Sequence, residues 1–421
     1  MRGAQWALWL AAGAAALAQP GIPQAEYRAR RAELRKALPG VVALYGRAEK
    51  RDPDETLAAF RQDPSFLYLT GWEEPGAVLL LWPPDGEALF LPPRNERVDR
   101  YSGRRTTADD PRARAATGFD QVLEAAGLEP QLGKLLAAHP KLFTLTGTES
   151  AVRLRGLVPG REPEDARPAI TRLRLKKSPR EVELIQKSIE VTVAAQRAAW
   201  KRVRPGVFEY QVTASFTATT LEAGCRGPAY PPIVASGPNA MTLHYFRNGR
   251  KLEAGELLVL DAGAECSAYA ADLTRTLPIS GKFTPRQKEL YEIVLGAQRA
   301  VLAAIQPGVT QGPKPDTPNS LYKVARDYID SHGKDRAGNS LGKYLPHGVS
   351  HHVGLQVQDP GAASQPLEPG MVVTVEPGIY IPEEGIGIRL EDMVLVTERG
   401  AKVLSGALPK AVAEIEKAMA K

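Results

Sequence analysis

The feature that most constrains this chain is a pattern written twice. "SPREVELI…VRPGV" (Ser178 to Val207) and "TPRQKELY…IQPGV" (Thr284 to Val309) each open with a hydroxyl residue, then Pro, then Glu or Gln three residues after the hydroxyl. Ser178 with Glu181 and Thr284 with Gln287 are capping-box pairs, and Pro at the first helical position fixes the same start. Each stretch closes at Pro-Gly. In the second, Leu290, Ile293, Val294, Ala297, Val301 and Ile305 fall on one helical face, so a long helix packed on a sheet is expected. Each half then runs into a strand pair carrying two carboxylates. Two such halves facing each other bring both strand pairs to one central site.

The carboxylates are Asp261 and Asp272 in "LLVLDAGAECSAYAADLTRTL", and Glu376 and Glu391 in "MVVTVEPGIYIPEEGIGIRLEDMVLVT". Acidic residues are depleted from strands, yet each of these sits in an apolar run. A hairpin turning near Cys266 and Ser267 puts 261 opposite 272, and one turning in "PEEG" puts 376 opposite 391. Directly paired residues have Cβ atoms roughly 4.5 to 5.5 Å apart. Four crowded carboxylates repel and take up protons unless cations neutralise them. Two divalent ions match four negative charges, and shared carboxylates bridge ions roughly 3.5 to 4 Å apart. "HGVSHHVGLQVQD" places His347, His351 and His352, half of the six histidines, just upstream of the second pair. Imidazole favours a transition metal over magnesium. No H-E-x-x-H, Walker loop or C-x-x-C competes, and "GIGIRLED" opens a strand, which argues against phosphate binding.

The remaining chain frames this centre. Arg2, an apolar run from Trp6 to about Leu17 and the small-residue pattern Ala16-Leu17-Ala18 read as a secretory leader over residues 1–18. From 19 to 160 an α/β domain is expected, with "VVALYG", "FLYLTG", "AVLLLWPPDGEALFLPP" and "LFTLTG" as short strands. The Pro- and charge-rich "VPGREPEDARP" marks a boundary near 158 to 168, and a second domain follows over 169–421. At 421 residues and 43% hydrophobic, the chain has enough apolar material for two cores. The net charge of +6 is mild, and "RLRLKKSPR" carries no aromatic residue for base stacking, so a solvated linker is expected there and no nucleic-acid partner. No segment after the leader is long and apolar enough to span a membrane. Cys225 and Cys266 give no disulfide framework. The sequence leaves open whether they pair, and two small buried side chains is the simpler expectation.

Taken together, "DAG…YAADLTRT", "HGVSHHVGLQVQD", "TVEPGIYI" and "GIGIRLEDMVLVT" resemble the metal-dependent peptidases of the pita-bread fold, the group of methionine aminopeptidase, aminopeptidase P and prolidase, with creatinase as a metal-free relative. "FRQDPSFLYLTGWEEPGAVLLL" and "YSGRR" look like aminopeptidase P in particular. The resemblance implies a mixed α/β (α+β) chain with a creatinase-like N-terminal domain and a pseudo-two-fold catalytic domain. It makes Asp261, Asp272, His351, Glu376 and Glu391 ligands of a two-metal centre, usually manganese, with zinc or cobalt as substitutes. Asp272 and Glu391 would bridge the ions, and Glu376 would manage the proton of the attacking water.

His244 and His347 match histidines that line the substrate site in relatives. Arg389, two residues before Glu391 on the same strand face, is expected to hold a ligand carboxylate, with Tyr380 as a weaker candidate. Gln358 stands where relatives usually carry a histidine; its amide donates a hydrogen bond but cannot carry a proton. The implied activity is a secreted or periplasmic exopeptidase acting on peptides with proline second, assembled as a dimer or tetramer. A prolidase restricted to Xaa-Pro dipeptides, or a weakly active peptide-binding relative, are the alternatives.

Overall fold

The computed structural model describes residues 21–48, 60–312 and 317–420. The expected leader, 1–18, lies outside the described residues.

The N-terminal unit is built on a six-stranded mixed sheet of β1 (Val41–Tyr45), β2 (Val78–Trp82), β3 (Gly86–Leu91), β4 (Val122–Glu124), β5 (Leu142–Thr144) and β6 (Glu164–Asp165), in the order β4-β3-β2-β1-β5-β6. Strand residues alternate between two cores. Val42 and Leu44 pack with Leu34, Phe66 and Leu69 on one face, while Val41 and Ala43 pack with Leu128, Leu132 and Leu154 on the other. Burial on both faces explains why "VVALY" reads as an unbroken apolar run.

Two expectations change here. "FLYLTG" is not a strand; Pro64–Thr70 is a helix. Asp63 caps it by accepting from the backbone N–H groups of Ser65 and Phe66, Pro64 fills its first turn, and Gly71 closes it at φ 65°. These end signals outweigh the strand preference of an aromatic segment. In the stretch expected as a domain boundary, β6 pairs with β5, and the next helix, Arg167–Leu175, packs Ile170 and Leu173 into the N-terminal core. "RLRLKKSPR" is the second, a packed segment and not a solvated linker. Arg174 and Lys177 are 3% and 6% exposed and both bond Asp359, at 2.6 and 3.3 Å.

The catalytic unit repeats one plan. Helix Pro179–Trp200 with Glu209–Glu222, and helix Pro285–Ala304 with Leu321–His332, are the two helix pairs. The long helix of each pair starts at the anticipated capping box. All six residues expected on the inner face of the second are buried. Each half then supplies a three-stranded sheet, Ile233–Ser236, Leu257–Asp261 and Thr274–Pro278 in one, Val372–Val375, Asp392–Thr397 and Gly400–Val403 in the other. The halves meet where Glu391 N–H donates to Thr274 O at 3.0 Å and Arg389 N–H to Thr276 Oγ1 at 3.0 Å. This is the mixed α/β, pseudo-two-fold architecture expected from the sequence. Among the described residues, no helix is long and apolar enough to cross a membrane.

The hairpin registers decide where the carboxylates lie. In the second, Gly378 pairs with Arg389 and Val375 with Asp392, so Glu376 falls across from Glu391 as anticipated. In the first, Asp261 pairs with Thr274, not with Asp272. The turn sits one residue later, on Ser267 and Ala268, both at positive φ, which shifts the register by two. Asp272 therefore lies diagonally from Asp261 on the same face, still within reach.

Cys225 and Cys266 form a disulfide, with Cα atoms 4.5 Å apart. It fastens the Cys225 loop to the first hairpin.

Candidate metal centre

Strand ends from both halves converge on a cavity of about 430 Å³ whose walls include Asp261, Asp272, His351, Glu376 and Glu391. Ligand atoms of Asp272, His351 and Glu391 all lie within 4.8 Å of one another. His351 Nε2 stands 3.4 Å from Asp272 Oδ2 and 3.5 Å from Glu376 Oε1. Asp261 is committed in two directions. Its Oδ2 accepts from Arg389 Nη2 at 2.6 Å, and its Oδ1 from the Tyr230 hydroxyl at 2.6 Å; that hydroxyl also contacts Asp272.

Threonines steady the ring of ligands. Thr274 Oγ1 donates to Glu391 Oε2 at 2.7 Å. Thr374 Oγ1 receives the His351 backbone N–H at 3.0 Å and reaches Glu376 Oε1 at 3.3 Å. Strand pairing thus fixes the carboxylates, and neighbouring strand hydroxyls fix their rotation.

Burial and mutual repulsion make the site unfavourable for bare anions. Asp272 is pushed up to about 6 by burial and by Asp261. Burial also raises Glu376 and Glu391, the latter helped by Asp272 and Glu376. Burial disfavours a charged His351, but Asp272 and Glu376 outweigh it and lift the imidazole to about 9. A group of carboxylates and one imidazole that holds protons in this way is a donor set suited to divalent metal, which displaces those protons on binding.

The substrate-side residues also gather here. His244, His347, Arg389 and Gln358 line the same cavity. His347 Nε2 is 2.9 Å from the Tyr380 hydroxyl, which accepts from Arg389 Nη1 at 2.8 Å. Burial and the Arg389 charge hold His347 down to about 4, so its ring is neutral at neutral pH. Arg389 thus reaches Asp261 with one nitrogen and the His347–Tyr380 pair with another. His244 stacks on Phe246, centroids 5.9 Å apart. His352 points away from the cavity, 2% exposed and packed against Gly361.

Tyr230 is the functional residue that sequence reasoning missed. It lies between prolines in "PAYPPI" with no spacing relation to the acidic hairpins, and only the tertiary fold brings its hydroxyl between Asp261 and Asp272.

Comparison with known proteins agrees with this geometry. Residues 183–398 match the description Metallopeptidase family M24, and residues 27–143 match Aminopeptidase P, N-terminal domain. The chain is 36% identical over 437 residues to Xaa-Pro aminopeptidase of Haemophilus influenzae, covering 94% of this chain and 98% of that one. Identity to the Escherichia coli Xaa-Pro aminopeptidase is 35% over 441 residues, with the same coverage. A solved structure of zinc-substituted E. coli aminopeptidase P in complex with product superposes with a TM-score of 0.85 at 32% identity, covering 95% of this chain and 98% of that one.

Proposed function

The chain belongs to the Xaa-Pro aminopeptidases of metallopeptidase family M24, and from that premise we propose that it removes the N-terminal residue preceding proline from peptides of three or more residues. The observation that carries this reading is the convergence of Asp272, His351 and Glu391 in a cavity that also holds His244, His347 and Arg389. Proline in second position makes a tertiary amide of restricted geometry, which calls for a dedicated site.

The metal reading is finer than the cluster of three. We infer that Asp272, His351 and Glu391, together with Asp261 and Glu376 on the walls of the same cavity, would hold two divalent ions, with manganese the preferred metal. When bound, such ions supply a water acidic enough to attack a carbonyl at neutral pH. The chain's own groups do the rest. Glu376, a cavity-wall carboxylate beside His351, would accept the water's proton and pass it to the departing proline nitrogen. His244 and the neutral His347 face the cavity as hydrogen-bonding groups for the peptide. Arg389 keeps Asp261 oriented.

Export accompanies this reading. The leader-like segment 1–18 supports it, as does the Cys225–Cys266 pair, because disulfides persist in oxidising compartments.

The test is product analysis by mass spectrometry of an Ala-Pro-Ala tripeptide and an Ala-Pro dipeptide, each incubated with protein and manganese. Free alanine and Pro-Ala from the tripeptide support the aminopeptidase reading. Cleavage confined to the dipeptide replaces it with prolidase, and cleavage of neither rejects both.

A further inference from the structure

Two further cavities adjoin the central one. Val357 lines both it and a second cavity of about 320 Å³, and Ala229 of the second is the chain neighbour of Tyr230 in the first. The second shares Leu67, Glu73, Ala268 and Leu355 with a third cavity of about 370 Å³. The three form one run along the seam between the N-terminal and catalytic units.

The middle cavity is charged. Arg47 and Arg61 from the N-terminal unit and Arg226 from the catalytic unit line it, against Glu73 and Glu265. Glu265, 7% exposed, accepts from Arg61 and lies 3.3 Å from Arg226 Nε. Arg226 also donates to Phe60 O at 3.0 Å, so it ties the two units together. Among the described residues three guanidinium groups face two carboxylates; Arg61 and Arg226 sit against Glu265, and Arg226 also lies 3.9 Å from Glu73, so Arg47 is the excess positive charge of this wall. The disulfide braces it, since Cys225 precedes Arg226, Cys266 follows Glu265, and Arg226 N–H donates to Glu265 O at 3.0 Å.

An aminopeptidase substrate has a single residue before the scissile bond and all the others after it. The run of adjoining cavities has room for those residues. Resting on the aminopeptidase reading, we propose that this seam binds the leaving peptide and that its middle cavity takes a carboxylate of that peptide beside Arg47 and Arg226. An acidic side chain and the C-terminal carboxylate of a short peptide share this chemistry.

The experiment compares kcat/KM for Ala-Pro-Ala-Glu-amide with Ala-Pro-Ala-Gln-amide, and for Ala-Pro-Ala as free acid with its amide. The first pair reports a side chain, the second a chain terminus. At low salt at least one acidic member is expected to be favoured about threefold to fivefold, the scale of a partly exposed ion pair, and the preference shrinks as salt rises. Arg47→Gln and Arg226→Gln lower the ratio toward unity, whereas Arg47→Lys, which keeps the charge at an exposed position, retains it. Equal rates within both pairs for the parent, or ratios unmoved by Arg47→Gln and Arg226→Gln, overturn the proposal. Calorimetric binding of Pro-Ala-Glu-amide against Pro-Ala-Gln-amide separates the two readings. Absent cleavage with a charge-dependent binding preference keeps the subsite and rejects the peptidase, while cleavage without any preference does the reverse.

Discussion

Arg389 is the residue on which most of the site's order depends. It holds Asp261 at 2.6 Å and the Tyr380 hydroxyl at 2.8 Å from a buried position on the cavity wall. Its planar fork serves both at once, and lysine cannot. Arg389→Lys is expected to lower metal affinity or kcat by about 10- to 100-fold, read by manganese titration and initial rates; unchanged values remove Arg389 from the site's support. Gln358 is a second test at this scale. Its side chain lines the cavity where relatives were expected to place a histidine. Gln358→His is expected to raise kcat on Ala-Pro-Ala, by up to about 10²-fold if it adds help to the transition state, and to add a limb to the pH–rate profile. A flat profile at parental kcat assigns the position to packing. Residue identities made most of this site legible, because carboxylates inside apolar strands are costly without a partner. Tyr230 was not, because a tyrosine between prolines carries no such signal.

At the level of elements, the duplication was legible because capping boxes are local. Ser178, Glu181, Thr284 and Gln287 mark helix starts without reference to the rest of the chain. Register was harder. The second hairpin turns at Gly385, φ 63°, a residue that announces a turn. The first turns at Ser267 and Ala268, which take positive φ without the usual Asn-Gly or Asp-Gly, so its midpoint could not be fixed. "FLYLTG" was misread for the opposite reason, since its signals were present but local β preference was given more weight than Asp63, Pro64 and Gly71. The junction of the two halves is held by Arg275. Fully buried, it pairs with Asp392 at 2.8 Å and donates to the carbonyls of Thr274, Glu391 and Leu408. Burial alone would raise Asp392, but Arg275 and Lys410 hold it below the ordinary range. Arg275→Met leaves that carboxylate short of its buried partner and is expected to cost about 3–5 kcal/mol. Denaturant unfolding measures it, and a loss under about 1 kcal/mol would show that Lys410 suffices.

For the whole molecule, metal and protons compete for the same groups. In metal-stripped protein Asp272 titrates at about 6 and His351 at about 9, both raised from their ordinary values. Their protonated forms therefore favour folding at low pH, and that contribution is lost as pH rises through about 6 and about 9. His347 and His352, held down to about 4, act in the opposite sense, but only below the ordinary histidine value of 6.5. From pH 6.5 to 9 His351 carries the effect, and Glu391, raised well above its ordinary value by burial, acts in the same sense, so the Tm of stripped protein is expected to fall. Manganese binds the deprotonated ligands and should stabilise more strongly toward pH 9. Calorimetry with and without manganese checks this, and a stripped-protein Tm that rises over the interval contradicts it. The central claim, that this centre cleaves Xaa-Pro bonds with metal, has a more direct test. Protein dialysed against chelator is given Ala-Pro-Ala, then titrated with manganese, with Asp272→Asn alongside. The account predicts no free alanine from stripped protein, release restored by manganese in the parent, and none from Asp272→Asn. Alanine released equally by stripped protein or by Asp272→Asn, or none from the parent with metal bound, would contradict it.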